Sequence, residues 1–205
     1  INSYGDITQS ANFIDTNRNG ISDFNEAEID YRNDSVTPQN FTSVLQNLAT
    51  TMLPGTEVLI VMENHGWYNK TNGTHYFKFE YTTSDLTNPF RKLWAPTMQS
   101  TLDLFRQRNI KVKLMVFSCA SGGFVESVAV SGTLYVAEVS DKQTGLAYFY
   151  DGPNDNKYGV VFGHKFFTAL NRGLTIFEAY MKNKYVYQYE GGGYRDNMPL
   201  LGEYN

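Results

Sequence analysis

The sequence predicts an α/β domain of three layers, in which helices lie on both faces of a mostly parallel central sheet. Two apolar stretches, Glu57–Met62 and Lys111–Ser118, have the length and the β-branched content of buried strands. A segment with the apolar spacing of a helix precedes each of them, and this alternation is typical of parallel sheets. At 205 residues the chain is long enough for one sizeable core, so we expect a single domain over 1–205.

The composition excludes several classes of protein. A formal net charge of −4 and a pI near 5.4 argue against nucleic-acid binding, which favours a basic face. No apolar run is long enough to span a bilayer, so we expect no membrane span. Cys119 is the single cysteine, so no disulfide can form within the chain.

Residues 15–26 have the spacing of a twelve-residue calcium loop of the EF-hand or dockerin type. Oxygen-bearing side chains stand at positions 1, 3, 5 and 9, Gly20 stands at the sharp turn of position 6, and an acid closes the loop at position 12. We expect a structural calcium site, and the alternative is a polar surface turn that binds no metal. The predicted ligands are Asp15, Asn17, Asn19, Ile21 through its carbonyl, Asp23 and Glu26.

The elements follow in order after this loop. Thr37 and Pro38 suit the N-cap and the first turn of a helix, where the hydroxyl accepts an amide hydrogen bond and proline removes an amide that would stay unpaired. Pro54-Gly55 ends that helix, and Asn72-Gly73 marks the turn of a hairpin. The other predictions are strands over 56–62, 110–118 and 133–140, a hairpin over 67–81, helices over 93–108, from about 123, over 161–171 and over 174–183, and a loop over 190–199.

Cys119 and His65 are the candidate catalytic residues, because each follows one of the two apolar strands. The carboxyl ends of neighbouring parallel strands meet at one edge of a sheet, where open α/β folds bind ligands. A cysteine nucleophile needs an imidazole as its base and N–H donors for the oxyanion, which we assign to Gly66 and to Cys119 itself. We expect the helix N-terminus after Cys119 to favour the thiolate.

Each of these residues also has a purely structural interpretation. A lone cysteine is often core filler, and a lone histidine is often a hydrogen-bonded polar group. Their joint placement at the ends of two strands favours the functional interpretation. We interpret His75 and His164 as structural or surface residues, and we assign no role to Glu63 or Asp103.

Two motifs resemble the caspase-like cysteine peptidases, the clan that includes caspases, metacaspases, gingipains and legumains. The segment Val36-Thr-Pro-Gln-Asn-Phe41, followed by the strand ending in His65-Gly66, is similar to the legumain-type family. Phe117-Ser-Cys-Ala-Ser-Gly-Gly-Phe124 is closer to metacaspases and their bacterial relatives. The resemblance covers roughly 36–185 and implies a caspase-like αβα sandwich with a His65–Cys119 dyad.

The implied activity is that of a cysteine endopeptidase, which hydrolyses peptide or protein substrates through a thioester. Two alternatives stay open: a non-catalytic caspase-like module used in extracellular adhesion or assembly, and a transpeptidase or ligase that uses the same dyad. Relatives carry an acid or glutamine two positions before the cysteine, and Phe117 stands there in this chain. Relatives also have an additional strand upstream, which 1–35 are too polar to form, so we expect a second chain or a missing segment to supply it.

Four Asn-x-Ser/Thr sequons occur, although roughly three are expected by chance in a chain so rich in these residues. Together with the calcium loop they favour a secreted, extracellular or periplasmic glycoprotein. The sequon asparagines are Asn33, Asn40, Asn69 and Asn72.

Overall fold

The computed structural model describes residues 36–79, 88–145, 147–149, 158–190 and 196–204. None of the helices in these ranges is long and apolar enough to cross a membrane. The helices are α1 (Pro38–Thr51), α2 (Ala95–Gln107), α3 (Ser121–Val128), α4 (Val161–Asn171), α5 (Ile176–Asn183) and α6 (Val186–Glu190). The strands are β1 (Glu57–Glu63), β2 (Gly66–Tyr68), β3 (His75–Lys78), β4 (Lys92–Trp94), β5 (Lys111–Phe117), β6 (Thr133–Ala137), β7 (Ala147–Phe149), β8 (Tyr158–Val160) and β9 (Leu200–Tyr204).

The central sheet has the strand order β1-β5-β6-β9, in which the first three strands are parallel and β9 runs antiparallel to β6. The register pairs Glu57 with Lys111 and Glu63 with Phe117, so β1 and β5 end side by side. The backbone N–H of Asn64 continues this pairing by donating to the carbonyl of Phe117 at 3.3 Å. The segments that follow the two strands therefore emerge at the same edge of the sheet.

Helices cover both faces of this sheet because side chains alternate between its faces along each strand. Leu114 and Val116 of β5 pack into a core with α1, α2 and α3, whereas Met115 and Phe117 pack with α4, α5 and α6. Each of these four side chains is almost completely buried. The three-layer α/β architecture with a mostly parallel sheet is confirmed.

Four strands of the structure are absent from the sequence-based prediction. The predicted hairpin is present as β2 and β3, but β4 joins it to form a three-stranded antiparallel sheet. The helix predicted from 93 therefore begins at Ala95, after Trp94 in an extended conformation. Strand β9 and the β7–β8 pair complete the additional pairings.

The strand predicted over 133–140 ends at Ala137. The N–H of Glu138 still donates to the carbonyl of Val116 on β5 at 3.0 Å, but Val139 pairs with α3 instead. The carbonyl of Val139 accepts from the N–H of Gly122 at 2.8 Å, and the N–H of Val139 donates to Oγ of Ser121 at 3.1 Å. Residues 138–145 form a loop between β6 and β7 as a result, and we call this segment the 138–145 loop.

Strand β1 lies at the edge of the sheet, with no strand on its far side among the residues described. Ile60 and Met62 are buried, but Leu59 and Val61 on the opposite face are 56% and 44% exposed. A groove of about 240 Å³, lined mostly by apolar side chains, lies between α1 and this strand. The additional strand expected from a second chain or a missing segment stays a prediction.

Candidate active site

Cys119 lies on a tight turn between β5 and α3. Ala120, the next residue, has φ 52° and ψ 24°, a left-handed conformation that costs a residue with a side chain about 1–2 kcal/mol. The 138–145 loop stabilises this turn, because the N–H of Ala120 donates to the carbonyl of Gln143 at 2.7 Å. The thiol is therefore held by a strand, a helix and a loop together.

The glycines that open α3 are required by close packing. A methyl group on Gly122 would lie 2.8 Å from Cα of Ser140, inside normal contact distance. A methyl group on Gly123 would overlap the imidazole of His75 and approach the carboxylate of Asp141 to 2.5 Å. The small residues after the cysteine thus allow the 138–145 loop and the hairpin to approach the helix that carries it.

Gly66, the residue after His65, lies against the cysteine turn. A methyl group on Gly66 would lie 2.5 Å from Oγ of Ser118 and 2.7 Å from the carbonyl oxygen of Cys119. The side chain of His65 is exposed, and its backbone N–H is bound by Oδ1 of Asn64 at 2.7 Å. The structure therefore brings the two sequence-predicted segments into contact.

The backbone N–H of Gly66 points away from the hairpin. The carbonyl of His65 accepts from the N–H of Lys78 at 2.8 Å, and the N–H of Asn69 donates to the carbonyl of Thr74 at 2.8 Å. In an antiparallel pair these bonds fall on alternate residues, so positions 65, 67 and 69 face β3 and position 66 faces outward. A backbone N–H that faces outward beside the cysteine turn can stabilise an oxyanion.

Burial raises the pKa of the Cys119 thiol above its ordinary value, and negative charge on Glu138 acts in the same direction. The N–H of Gly145, the cysteine's own N–H and the charge of Lys78 oppose this effect. Desolvation of the half-buried sulfur outweighs these donors. The thiolate is therefore less favoured than the helix N-terminus alone led us to expect.

Glu138 is a completely buried acid at the same edge of the sheet, and sequence reasoning assigned it no role. Its carboxylate accepts from the N–H of Phe162 at 3.1 Å, the N–H of Gly163 at 3.0 Å and the hydroxyl of Tyr187. Burial raises its pKa to about 8 despite these donors. The one sequence feature that could have pointed to Glu138 is its position directly after the apolar run of β6.

Phe117 fills the core beneath α4. Its ring is completely buried, with centroids 6.4, 6.3 and 5.3 Å from those of Phe162, Phe166 and Phe167. The residue that replaces the expected acid or glutamine thus contributes to packing under the site rather than to a polar pocket.

The remaining candidates lie apart from the cysteine turn or outside the described ranges. His164 is exposed on α4, whereas His75 is buried and bonded to Asp141 next to α3. No group of three or more His, Cys, Asp or Glu side chains that could hold a metal occurs in the part of the chain that the structure describes. The predicted calcium loop, 15–26, lies outside that part.

Comparison with known proteins gives the family. No curated protein sequence matches the chain. The crystal structure of protein GSU0716 from Geobacter sulfurreducens is similar, with a TM-score of 0.56 and 13% identity over 83% of this chain and 74% of that chain, a likeness of fold. Residues 2–184 match the peptidase C13 family. The match covers most of the chain, whose layered sheet is consistent with a caspase-like fold, and the chain therefore belongs to the peptidase C13 family, the legumain family of cysteine peptidases.

Proposed function

We propose that the chain is a cysteine endopeptidase in which His65 and Cys119 form the catalytic dyad. The observation that supports this most strongly is the contact of Gly66 with the backbone of Cys119, because it places the residue after the histidine beside the turn that carries the cysteine. The family supplies the general class of reaction. The dyad and its roles are our inference from the geometry.

In the proposed mechanism, the sulfur of Cys119 attacks the carbonyl carbon of the scissile peptide bond, while His65 takes the thiol proton. The N–H groups of Gly66 and Cys119 stabilise the negative charge on the carbonyl oxygen. His65 then gives its proton to the leaving amine as the carbon–nitrogen bond breaks, which leaves a thioester on Cys119. Water, deprotonated by His65, attacks the thioester and releases the carboxylic acid and the free thiol.

The electrostatics of Cys119 support a base-dependent attack. Because burial raises the pKa of its thiol, the thiol form predominates near neutral pH in the free protein. Proton transfer to an imidazole must then accompany or precede attack on the substrate. A histidine within reach of the thiol is thus essential to the proposal.

Cys119→Ala is expected to abolish hydrolysis of a mixed peptide library, with a loss of at least roughly 10³-fold relative to the unchanged protein. His65→Ala is expected to give a comparable loss because the thiol then has no base. The matched control is His164→Ala, since that imidazole is exposed on α4. Equal turnover by the unchanged protein and Cys119→Ala would refute the proposal.

Two observations favour a second candidate, a non-catalytic module for extracellular adhesion or assembly. The half-buried thiol and the packed Phe117 both suit a site that has lost its substrate pocket. Labelling with peptide-based thiol-reactive probes separates the two candidates, because only an open site reacts at Cys119. An amine nucleophile added to the same assay distinguishes a transpeptidase, which transfers the acyl group to the amine, from a hydrolase.

We also propose that residues 15–26 bind calcium in a structural role. The support is the spacing of the oxygen ligands in the sequence. A loop with two neutral asparagine ligands suits the high calcium concentrations outside cells, so we propose an extracellular location. Asn72, a sequon residue exposed at the hairpin turn, is compatible with that location.

Removal of calcium with a chelator is expected to lower the melting temperature by about 5–10 °C, because bound metal at about 100 times its dissociation constant contributes roughly 2.7 kcal/mol. In the Glu26→Gln variant, the melting temperature should depend much less on calcium, and calorimetry should show weaker calcium binding. Glu203→Gln, which changes an exposed acid on β9, is the matched control. Melting temperatures that do not respond to calcium would contradict the assignment.

A further inference from the structure

His75 and Asp141 form a close pair that joins two distant parts of the chain. Nε2 of His75 lies 2.6 Å from Oδ1 of Asp141, across 66 positions of sequence. His75 is only 7% exposed, whereas the side chain of Asp141 is 42% exposed. A hydrogen bond between an imidazole and a carboxylate at this distance is among the stronger ones in proteins.

On one side, the pair holds the hairpin that carries Gly66. His75 is the first residue of β3, which pairs with β2 through Tyr68, Trp67 and Gly66 in that order. The carbonyl of His65 is bound to the same strand through the N–H of Lys78. The position of β3 therefore sets the position of the residues proposed as base and oxyanion donor.

On the other side, the pair holds the 138–145 loop, to which Asp141 belongs. This loop supports the cysteine turn through the bond from the N–H of Ala120 to the carbonyl of Gln143. The N–H of Gly145, at the end of the loop, bonds to Cys119 and lowers the pKa of its thiol. The position of the loop therefore sets the surroundings of the sulfur.

The imidazole of His75 is enclosed by neighbouring residues, whereas Asp141 is partly open to solvent. Gly123 of α3 leaves no room for a side chain beside the imidazole. The ring of Tyr68 lies 5.7 Å from that of His75, and Nζ of Lys142 lies 3.7 Å from the second oxygen of Asp141. Because the imidazole has so little free space, displacement of either partner must move the hairpin relative to the loop.

We propose that the His75–Asp141 pair is a clamp that aligns the His65–Gly66 segment with Cys119. His75 is then a positioning residue, which acts through the hairpin and does not touch the substrate. The catalytic part of this inference rests on the proposed peptidase function, whereas the clamp itself is a property of the fold. A small misalignment of groups in an active site can lower the rate of the chemical step by up to about 100-fold.

The test is a double-mutant cycle with His75→Ala, Asp141→Ala and both changes together, followed by hydrogen exchange and by steady-state kinetics. His75→Ala is expected to accelerate amide exchange in the 138–145 loop, and Asp141→Ala to accelerate it in the hairpin, each by roughly ten-fold. Each change should lower kcat by about 10- to 100-fold with little change in KM. The double variant should be no worse than either single variant, because both remove the same interaction.

Two further variants make the result specific. His75→Gln retains an N–H donor for Asp141 and should restore most of the exchange protection and of kcat. Asp103→Ala removes an exposed contact of the same 2.6 Å length, with Arg106 on α2, and should change neither measurement. Circular dichroism checks that each variant is folded before exchange is compared.

Additive effects in the double variant, or exchange that changes only in the mutated element, would overturn the clamp. The exchange measurements test the clamp even if the protein hydrolyses no peptide. Failure of the peptidase proposal would instead show as equal turnover by the unchanged protein and Cys119→Ala. If His75→Ala accelerates exchange in the 138–145 loop as expected but leaves kcat unchanged, the clamp stands and only the positioning role of His75 is refuted.

Discussion

Gly66→Ala is expected to lower kcat for peptide hydrolysis by about 100-fold, comparable to the loss of an oxyanion donor. The added methyl group would lie 2.5 Å from Oγ of Ser118 and 2.7 Å from the carbonyl oxygen of Cys119. Cβ atoms in real proteins essentially never lie within 3 Å of such atoms. The hairpin and the cysteine turn must therefore move apart to accommodate the methyl group. That separation moves the outward N–H of Gly66 away from the carbonyl that it is proposed to bind.

The same change is expected to lower the free energy of unfolding by about 1–3 kcal/mol, because it overfills a packed contact. Urea unfolding measures this cost separately from kcat. Gly73→Ala is the control: a methyl group there meets no atom within 4 Å, and the change carries only the strain of a positive φ at the hairpin turn. An unchanged kcat in Gly66→Ala would show that position 66 has no part in aligning the site.

Glu138 is expected to make the protein less stable as the pH rises from about 4.5 to 8. Burial raises the pKa of this carboxyl from 4.5 to about 8 in the folded state, so the folded protein binds a proton that the unfolded chain releases. The stabilisation is fully present below about pH 4.5 and is lost as the pH approaches and passes 8. The total change is on the order of 5 kcal/mol over that window.

Glu138→Gln should remove this contribution, because glutamine does not titrate. The measurement is the free energy of unfolding in urea at pH 5, 6, 7 and 8, compared between the variant and the unchanged protein. Glu126→Gln, an exposed acid on α3, should retain the slope of the unchanged protein. Parallel pH profiles for Glu138→Gln and the unchanged protein would contradict a raised pKa at this position.

The parts of the fold that could be predicted are those with strong local patterns. Helix α1 begins at Pro38 with Thr37 as its N-cap, and Oγ1 of Thr37 accepts the N–H of Asn40 at 3.1 Å. Strands β1 and β5 were recognisable from their continuous apolar runs. In contrast, β4 has three residues, and β9 has a glycine at its centre, so neither carries a periodic signal. They are strands because β3 and β6 supply their hydrogen-bonding partners.

The same distinction applies to the candidate site. The location of Cys119 and His65 followed from strand ends, which are visible in the sequence. Glu138 could not be recognised, because its role depends on the N-terminus of α4, which begins at Val161. The sequence indicates only a structural or surface role for His75, because its pairing with Asp141 depends on a contact that only the tertiary fold creates.

Among the residues that the structure describes, no strand pairs with the outer edge of β1, and the charge pattern of this strand opposes association with another copy of itself. Its apolar centre lies between Glu57 and Glu63, and the ion pair with Lys113 holds the pKa of Glu57 below its ordinary value. If two such edges met in parallel register, each glutamate would face its own copy; if they met antiparallel, Glu57 would face Glu63. Like charges directly opposite one another destabilise strand pairing in either case. The two carboxylates therefore disfavour pairing of this edge with a second copy of itself, although the centre of the strand is apolar.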